Sequence, residues 1–392
     1  MRVVGLISGT SHDAVDVAVA DFEQRDDTLH ARMLGTGALP YPDDLRALLV
    51  SALPPAKVGM DVVCELDTRL SQFFADAAAG AITDAGGADL ICSHGQTVYH
   101  WIGPDGLALG GLHLAQPAWL AARTGLPVVS DLRSADIAAG GQGAPLVALM
   151  DEWLLAGVGS RPVAVNLGGI ANISVPEVAG RAGSGYDVGP ANALLDAAVV
   201  RSTGGARRFD ADGLLASSGR VDEVVLADLL AEPFYARSAP KSTGKELFHA
   251  GYLDRTPGLR ALDVADQLAT LAELTARTVV RAIQGAEADV AVFAGGGVRN
   301  LLVMQRIREL LDDVIVLTYG ELGVDPDAKE ALLFAMLGWL TWHGMPGASP
   351  IYTGASRPVV LGSVTPGADG RWPVPRDPSR PPIRRMIVAG TR

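Results

Sequence analysis

Pro162-Val163-Ala164-Val165-Asn166-Leu167-Gly168-Gly169-Ile170-Ala171-Asn172-Ile173-Ser174 decides the fold. An apolar run ends in two glycines and a second run follows, the pattern of strand, tight turn, strand. The same pattern opens the chain. Val3 to Ile7 is apolar, Ser8-Gly9-Thr10-Ser11 is a small hydroxyl-rich turn, and Val15 to Phe22 alternates as a second strand. Ser8 aligns with Gly168, an offset of about 160 residues, so the chain reads as a duplicated α/β domain. Two such turns facing across a cleft suit a phosphate chain gripped from both sides, and Asp13 and Asp16 suit a cation held with it. Taken singly, each turn is only a hairpin turn.

The bulk numbers agree with two α/β domains. A chain of 392 residues exceeds one ordinary core. With 48% hydrophobic and 19% charged residues it is globular rather than disordered. A net charge of -12 excludes a nucleic-acid partner that demands phosphate neutralisation. No apolar run approaches the roughly 18–20 residues of a membrane helix. The start turns polar after Ile7, so no secretory leader is expected, and Cys64 and Cys92 are too few for a disulfide scaffold. The expected location is the cytoplasm.

Outward from the two turns, residues 61–84 carry Val62, Leu66, Leu70, Phe73 and Ala77 at helical spacing. Ala88 to Cys92 reads as a buried strand ending in Ser93-His94-Gly95-Gln96-Thr97. Polar side chains at a strand's carboxyl end are where open α/β sheets bind ligands, although a satisfied core histidine is the plainer reading of His94. Leu126 to Ser130 repeats the arrangement, ending in Asp131-Leu132-Arg133. That pair is either a structural ion pair or, through Arg133, a carboxylate clamp. Gly140-Gly141-Gln142-Gly143-Ala144-Pro145 breaks the pattern and sets the first domain boundary. Gly185-Tyr186-Asp187-Val188-Gly189-Pro190-Ala191-Asn192 places one acid on a short turn before a helix. It is either a general base or an Asx-type helix cap. Arg237 to Glu246 superficially resembles a phosphate loop, but the upstream glycine is missing and Lys245 precedes Glu246. Asp289 to Ala294 is a strand ending in Gly295-Gly296-Gly297, where a flat ring can approach the backbone, with Arg299-Asn300 opening a helix. Lys329-Glu330-Ala331 starts another helix, with Glu330 in its first turn.

Taken together in this order, the motifs resemble the anhydro-N-acetylmuramic acid kinase family. They are Ser8-Gly9-Thr10-Ser11-x-Asp13, His94-Gly95-Gln96-Thr97, Asp131-x-Arg133, Gly140 to Pro145, Asn166 to Asn172, Asp187-x-Gly189-Pro190, Pro240 to Gly244, Gly295-Gly296-Gly297-x-x-Asn300 and Lys329-Glu330-Ala331. The likeness runs from about residue 3 to 364. It implies two duplicated actin-like ATPase (ribonuclease H-like) domains with a nucleotide cleft between them. It also implies a kinase that opens 1,6-anhydro-N-acetylmuramic acid and phosphorylates O6, giving N-acetylmuramic acid 6-phosphate and ADP in cell-wall sugar recycling.

By the same resemblance, Asp187 is the catalytic base with Glu330 as helper, and His94, Thr97, Asp131 and Arg133 face the sugar. Ser8, Gly9, Thr10, Ser11, Asp13, Gly168, Gly169, Gly295, Gly296, Gly297 and Asn300 hold ATP, with Asp13 at Mg²⁺. The expected partners are the small sugar and ATP, without nucleic acid or membrane, and a homodimer is an open option. The expected domains are 1–145, 146–345, a return segment 346–365 and a loose Pro/Arg-rich tail 366–392. The chain departs from the family pattern at Ala14, Ala191 and Gln116, which bears on substrate detail. A levoglucosan-type kinase and a non-catalytic actin-like ATP-binding module are the rival readings.

Overall fold

A computed structural model describes all residues except 10, 179, 240, 245, 246, 369, 376, 391 and 392. Its strands are β1 (Arg2–Ser8), β2 (Ala14–Arg25), β3 (Thr28–Pro40), β4 (Leu90–Ile102), β5 (Ala108–Leu114), β6 (Val128–Ser130), β7 (Pro162–Leu167), β8 (Ile170–Val175), β9 (Ser184–Pro190), β10 (Val290–Ala294), β11 (Ile315–Thr318), β12 (Ser363–Thr365) and β13 (Arg385–Ala389). The chain divides into two compact units, Met1–Leu154 with Leu322–Arg392, and Leu155–Glu321.

One strand order underlies both sheets. In the first unit it runs β3-β2-β1-β4-β6, and in the second β9-β8-β7-β10-β11. In each, the first three strands in sequence are antiparallel and the last two pair parallel to their neighbours. That repeated order is the ribonuclease H-like arrangement, so the duplication read from the two turns is real.

The helices explain why these strands are so apolar. In the first unit, Val4 and Leu6 of β1 pack with Leu66, Leu70 and Phe74 of the helix Met60–Asp84. The opposite face of the sheet carries the helix Lys329–Trp342, nearly every residue of which is buried. It lies so close that a Cβ on Gly5 would sit 2.0 Å from the Ala331 carbonyl oxygen. Gly338 repeats the close approach, with 2.5 Å to the Cys92 Cβ. In the second unit, Val163, Val165 and Leu167 of β7 share a core with Leu268, Leu271 and Leu274 of the helix Val264–Gly285.

The expected borders at 145 and 345 differ from the structure's division. The Gly140–Pro145 loop stays in the first unit because Asp136, fully buried, accepts from the Gly143 amide (2.8 Å) and the Thr353 hydroxyl (2.7 Å). Lys329 and Asp151 form a buried ion pair at 2.7 Å, which ties residues on both sides of the second unit into the first. The C-terminal segment is not a loose tail throughout. β13 adds to β3 in parallel, burying Met386 and Val388.

Candidate active site

Asp187 lies inside β9, where it pairs with Asn172, and a register shift follows between Ala171 and Asn172. It is not a helix cap. The helix Asn192–Ser202 begins after Ala191, which caps it without a side-chain bond. Lys241 to Thr243 runs beside the aspartate and clasps it. The Asp187 amide donates to the Lys241 carbonyl at 3.0 Å. Its Oδ2 accepts from the Ser242 hydroxyl at 3.0 Å and the Thr243 amide at 2.9 Å. The stretch set aside as a failed phosphate loop is thus the holder of the candidate base. Pro240, Lys245 and Glu246 of that stretch lie outside the described residues.

The second glycine turn has its carbonyls occupied. Gly168 O accepts from the Asn192 amide at 3.0 Å, and Gly169 O from those of Ala191 and Ala193 at 2.9 Å. The turn and the helix start therefore satisfy each other. The three-glycine stretch divides its labour. Gly295, with φ of 84°, and Gly297 pack so closely on Leu167 that a Cβ on either would meet its carbonyl oxygen within 3.0 Å. Gly296 alone is open, with nothing within 4 Å of a Cβ there. Two of the three glycines serve chain packing. Asn300 caps the helix Leu301–Leu310, its Oδ1 accepting from the Val303 amide at 3.1 Å.

In the first unit, the hydroxyl turn ends β1. Ser8 Oγ is buried and lies near the Tyr41 hydroxyl, and Gly9 faces nearly open space. Thr10 lies outside the described residues. Ser11 donates to Asp13 Oδ1 at 2.5 Å. Gln96, fully buried, braces the turn by donating to the Gly9 carbonyl at 3.4 Å. Close by, burial and the neighbouring Glu330, Asp13 and Asp327 raise Asp16 to about 6. Among the described residues no three metal-ligating side chains are grouped tightly enough to hold a metal unaided. Magnesium takes one or two carboxylates and completes its shell with water and substrate phosphate, so Asp13 and Asp16 fit it.

The strand-end residues of β4 and β6 form a second cluster in the same unit. His94 is buried, and its Nε2 accepts from Arg133 Nε at 2.9 Å. Burial and then the Arg133 charge push its pKa well below the usual value, so the ring is neutral. Arg133 Nη1 donates to the Gly143 carbonyl at 2.6 Å, and Nη2 has no partner among the described residues. Asp131 is not its ion-pair partner. That carboxylate takes the Ser134 hydroxyl at 2.6 Å instead. His113, paired with half-buried Thr97 across β4 and β5, packs edge-on to His94, and its buried Nε2 has no partner among the described residues. Ser93 Oγ, likewise buried, has no partner among the described residues. Glu330 is exposed at the start of its helix, and its charge reaches both Asp16 and Arg133.

Sequence reasoning gave no role to His113, Asp327 or Gln96, the last quoted only within the strand-end motif. His113 sits in β5, whose exposed, glycine-containing strand carried no periodic signal. Of the departures, Ala14 starts β2 with no positive φ and is not strained. Gln116 bonds Asp67 through its amide, a contact that a second acid would turn into repulsion.

Two ribonuclease H-like units, each with a small-residue turn between its first two strands, define the actin-like ATPase class of fold. The particular family follows from comparison with known proteins. The sequence model described as anhydro-N-acetylmuramic acid kinase matches residues 1–367, and the chain belongs to that family. It is 51% identical to the anhydro-N-acetylmuramic acid kinase of Streptomyces coelicolor, covering 100% of both chains. It is 48% identical to the protein of that name from Rhodococcus erythropolis, over 98% of this chain and 99% of the relative. Against that of Gloeobacter violaceus the identity is 41%, over 93% and 98%.

Proposed function

We propose that the chain opens 1,6-anhydro-N-acetylmuramic acid with water and transfers the γ-phosphoryl group of ATP to the freed O6. The products are N-acetylmuramic acid 6-phosphate and ADP. Family membership supports the reaction, and the clasp on Asp187 supports its central step. Two donors on Oδ2 fix the direction of the carboxylate, as a positioned general base requires.

In this reading Asp187 accepts a proton from water, and the hydroxide attacks the anomeric carbon. The bond from that carbon to O6 breaks, O6 takes the electron pair, and it attacks the γ-phosphorus in line as ADP leaves. Phosphoryl transfer needs mainly positioning and charge neutralisation. Ser8 Oγ and the amides of Gly9, Ser11, Gly168 and Gly169 are the proposed donors for ATP phosphate oxygens, and Gly296 leaves room for adenosine. Magnesium, when bound at Asp13 and Asp16, would neutralise phosphate charge. Arg133, held by His94 and Gly143, presents Nη2 to the lactyl carboxylate, with Thr97, Ser93 and His113 toward the sugar's polar groups. Glu330 is the helper acid at the same end. Asp131, engaged with Ser134, shapes the loop.

The test is reaction in ¹⁸O-labelled water with wild type and D187N. The reading predicts label at O1 of the product sugar and none in its phosphate, with D187N slower by roughly 10²–10⁴-fold and nucleotide still bound. Label in the phosphate, or a nearly full rate in D187N, would remove Asp187 from the hydrolytic step. A levoglucosan-type activity is the second reading, and the unpaired Nη2 of Arg133 argues against it, since levoglucosan has no carboxylate.

A further inference from the structure

The second unit contains a cavity of about 180 Å³ that none of these steps uses. Tyr186 and Val188 of β9 line it, together with Tyr235, Arg237, Lys241 and Arg281. Three cations face one pocket with no acid among its lining residues. Arg237 and Arg281 are exposed, and among the described residues neither has a carboxylate within ion-pair distance. The Tyr235 hydroxyl is buried and, among the described residues, has no hydrogen-bond partner. Lys241 Nζ donates to the Phe234 and Tyr235 carbonyls at 3.3 and 3.2 Å, so the two arginines are the charges left open to a ligand, and the buried unsatisfied hydroxyl beside them is a costly arrangement in an empty pocket. It becomes favourable when an anion supplies acceptors to both. Burial and the two arginine charges also depress the Lys241 pKa, a conflict that a bound anion relieves.

We propose that this pocket binds a phosphate-type dianion, either inorganic phosphate or the phosphate of a phosphomonoester. Its position links it to Asp187, and this part rests on the catalytic reading above. Lys241 lines the pocket, while its carbonyl accepts from the Asp187 amide and the next two residues hold the carboxylate. The Tyr235 ring bears on Gly189, where a Cβ would lie 2.8 Å from Cε1. Occupancy therefore stiffens the segment that aims the base.

The experiment is calorimetric titration of the full-length chain with inorganic phosphate and, separately, glucose 6-phosphate, with chloride as the ionic-strength control. It is joined by hydrogen exchange of residues 241–244. Wild type should bind at least one phosphate ligand and slow exchange of the Thr243 amide. The R237A/R281A double variant should bind at least roughly tenfold more weakly, equivalent to the loss of one charge-assisted contact. Y235F should bind several-fold more weakly, with its fold checked by circular dichroism. Tighter binding of one ligand identifies the source as free phosphate or monoester. Equal binding by wild type and the double variant, no binding of either ligand, or an equal response to chloride would overturn the proposal. Binding is read without turnover, so failure of the kinase reading is seen separately. Binding with unchanged Thr243 exchange would refute the link to Asp187.

Discussion

Gly189 lies two residues beyond Asp187, and the Tyr235 ring occupies the volume any side chain at 189 would need. A methyl group there must displace a packed ring or β9 itself. G189A should therefore cost roughly 1–3 kcal/mol in stability and lower kcat more than it changes KM. Urea unfolding and steady-state kinetics check both. Arg133 behaves differently in the proposed reading, where it meets substrate charge rather than carrying the chemistry. R133A should raise KM for the muramic sugar roughly tenfold or more, the value of a charge-assisted pair, with KM for ATP little changed. Nearby His113 gives a pH signature. Burial, then Arg133, lowers its pKa from 6.5 to about 4. The folded state then binds fewer protons than the unfolded state between those values, so this group's contribution to stability is lost as pH falls from 6.5 toward 4. Urea midpoints stepped through that range should show the fall, and H113Q should show a smaller one. A slope unchanged in H113Q would assign the effect elsewhere.

The helix Lys329–Trp342 shows how far elements were legible and where legibility stopped. Its start at Lys329 and the first-turn acid Glu330 were visible in the sequence. Nothing in the sequence announced that Gly5 and Gly338 are the two points where helix and sheet nearly touch, because a close approach is a property of two distant segments. G5A should be severely destabilising, at about 3 kcal/mol or more, since backbone of the helix rather than a flexible side chain blocks the new Cβ. Thermal unfolding of the variant tests this, and a midpoint near wild type would contradict the packing. The three glycines at 295–297 teach a related lesson. Composition suggested ligand approach for all of them, yet Gly295 and Gly297 answer to Leu167 and only Gly296 is left open. β3 went unread because Thr28–Pro40 mixes polar residues and two glycines, and its place is dictated by β2 rather than by its own pattern.

On the scale of the whole molecule, duplication was readable because it repeats a local signal, strand–turn–strand, twice. Where the first unit resumes was not readable, since it depends on contacts such as Lys329–Asp151 and Asp136–Thr353 between residues far apart in sequence. The C-terminal strand is the clearest instance. Its proline- and arginine-rich approach suggested a loose tail, while Met386 and Val388 cover the edge of β3. Truncation after residue 366 should lower the thermal midpoint and speed protease cleavage within Thr28–Pro40, measured by mass spectrometry of the fragments. The central claim, a kinase that reads both the anhydro ring and the lactyl acid, is tested most directly by coupled ADP release. The two substrates are 1,6-anhydro-N-acetylmuramic acid and levoglucosan. The account predicts sugar-dependent ADP release with the muramic sugar at a kcat/KM roughly tenfold or more above that for levoglucosan. Equal or faster turnover of levoglucosan, or ADP release indifferent to either sugar, would contradict it.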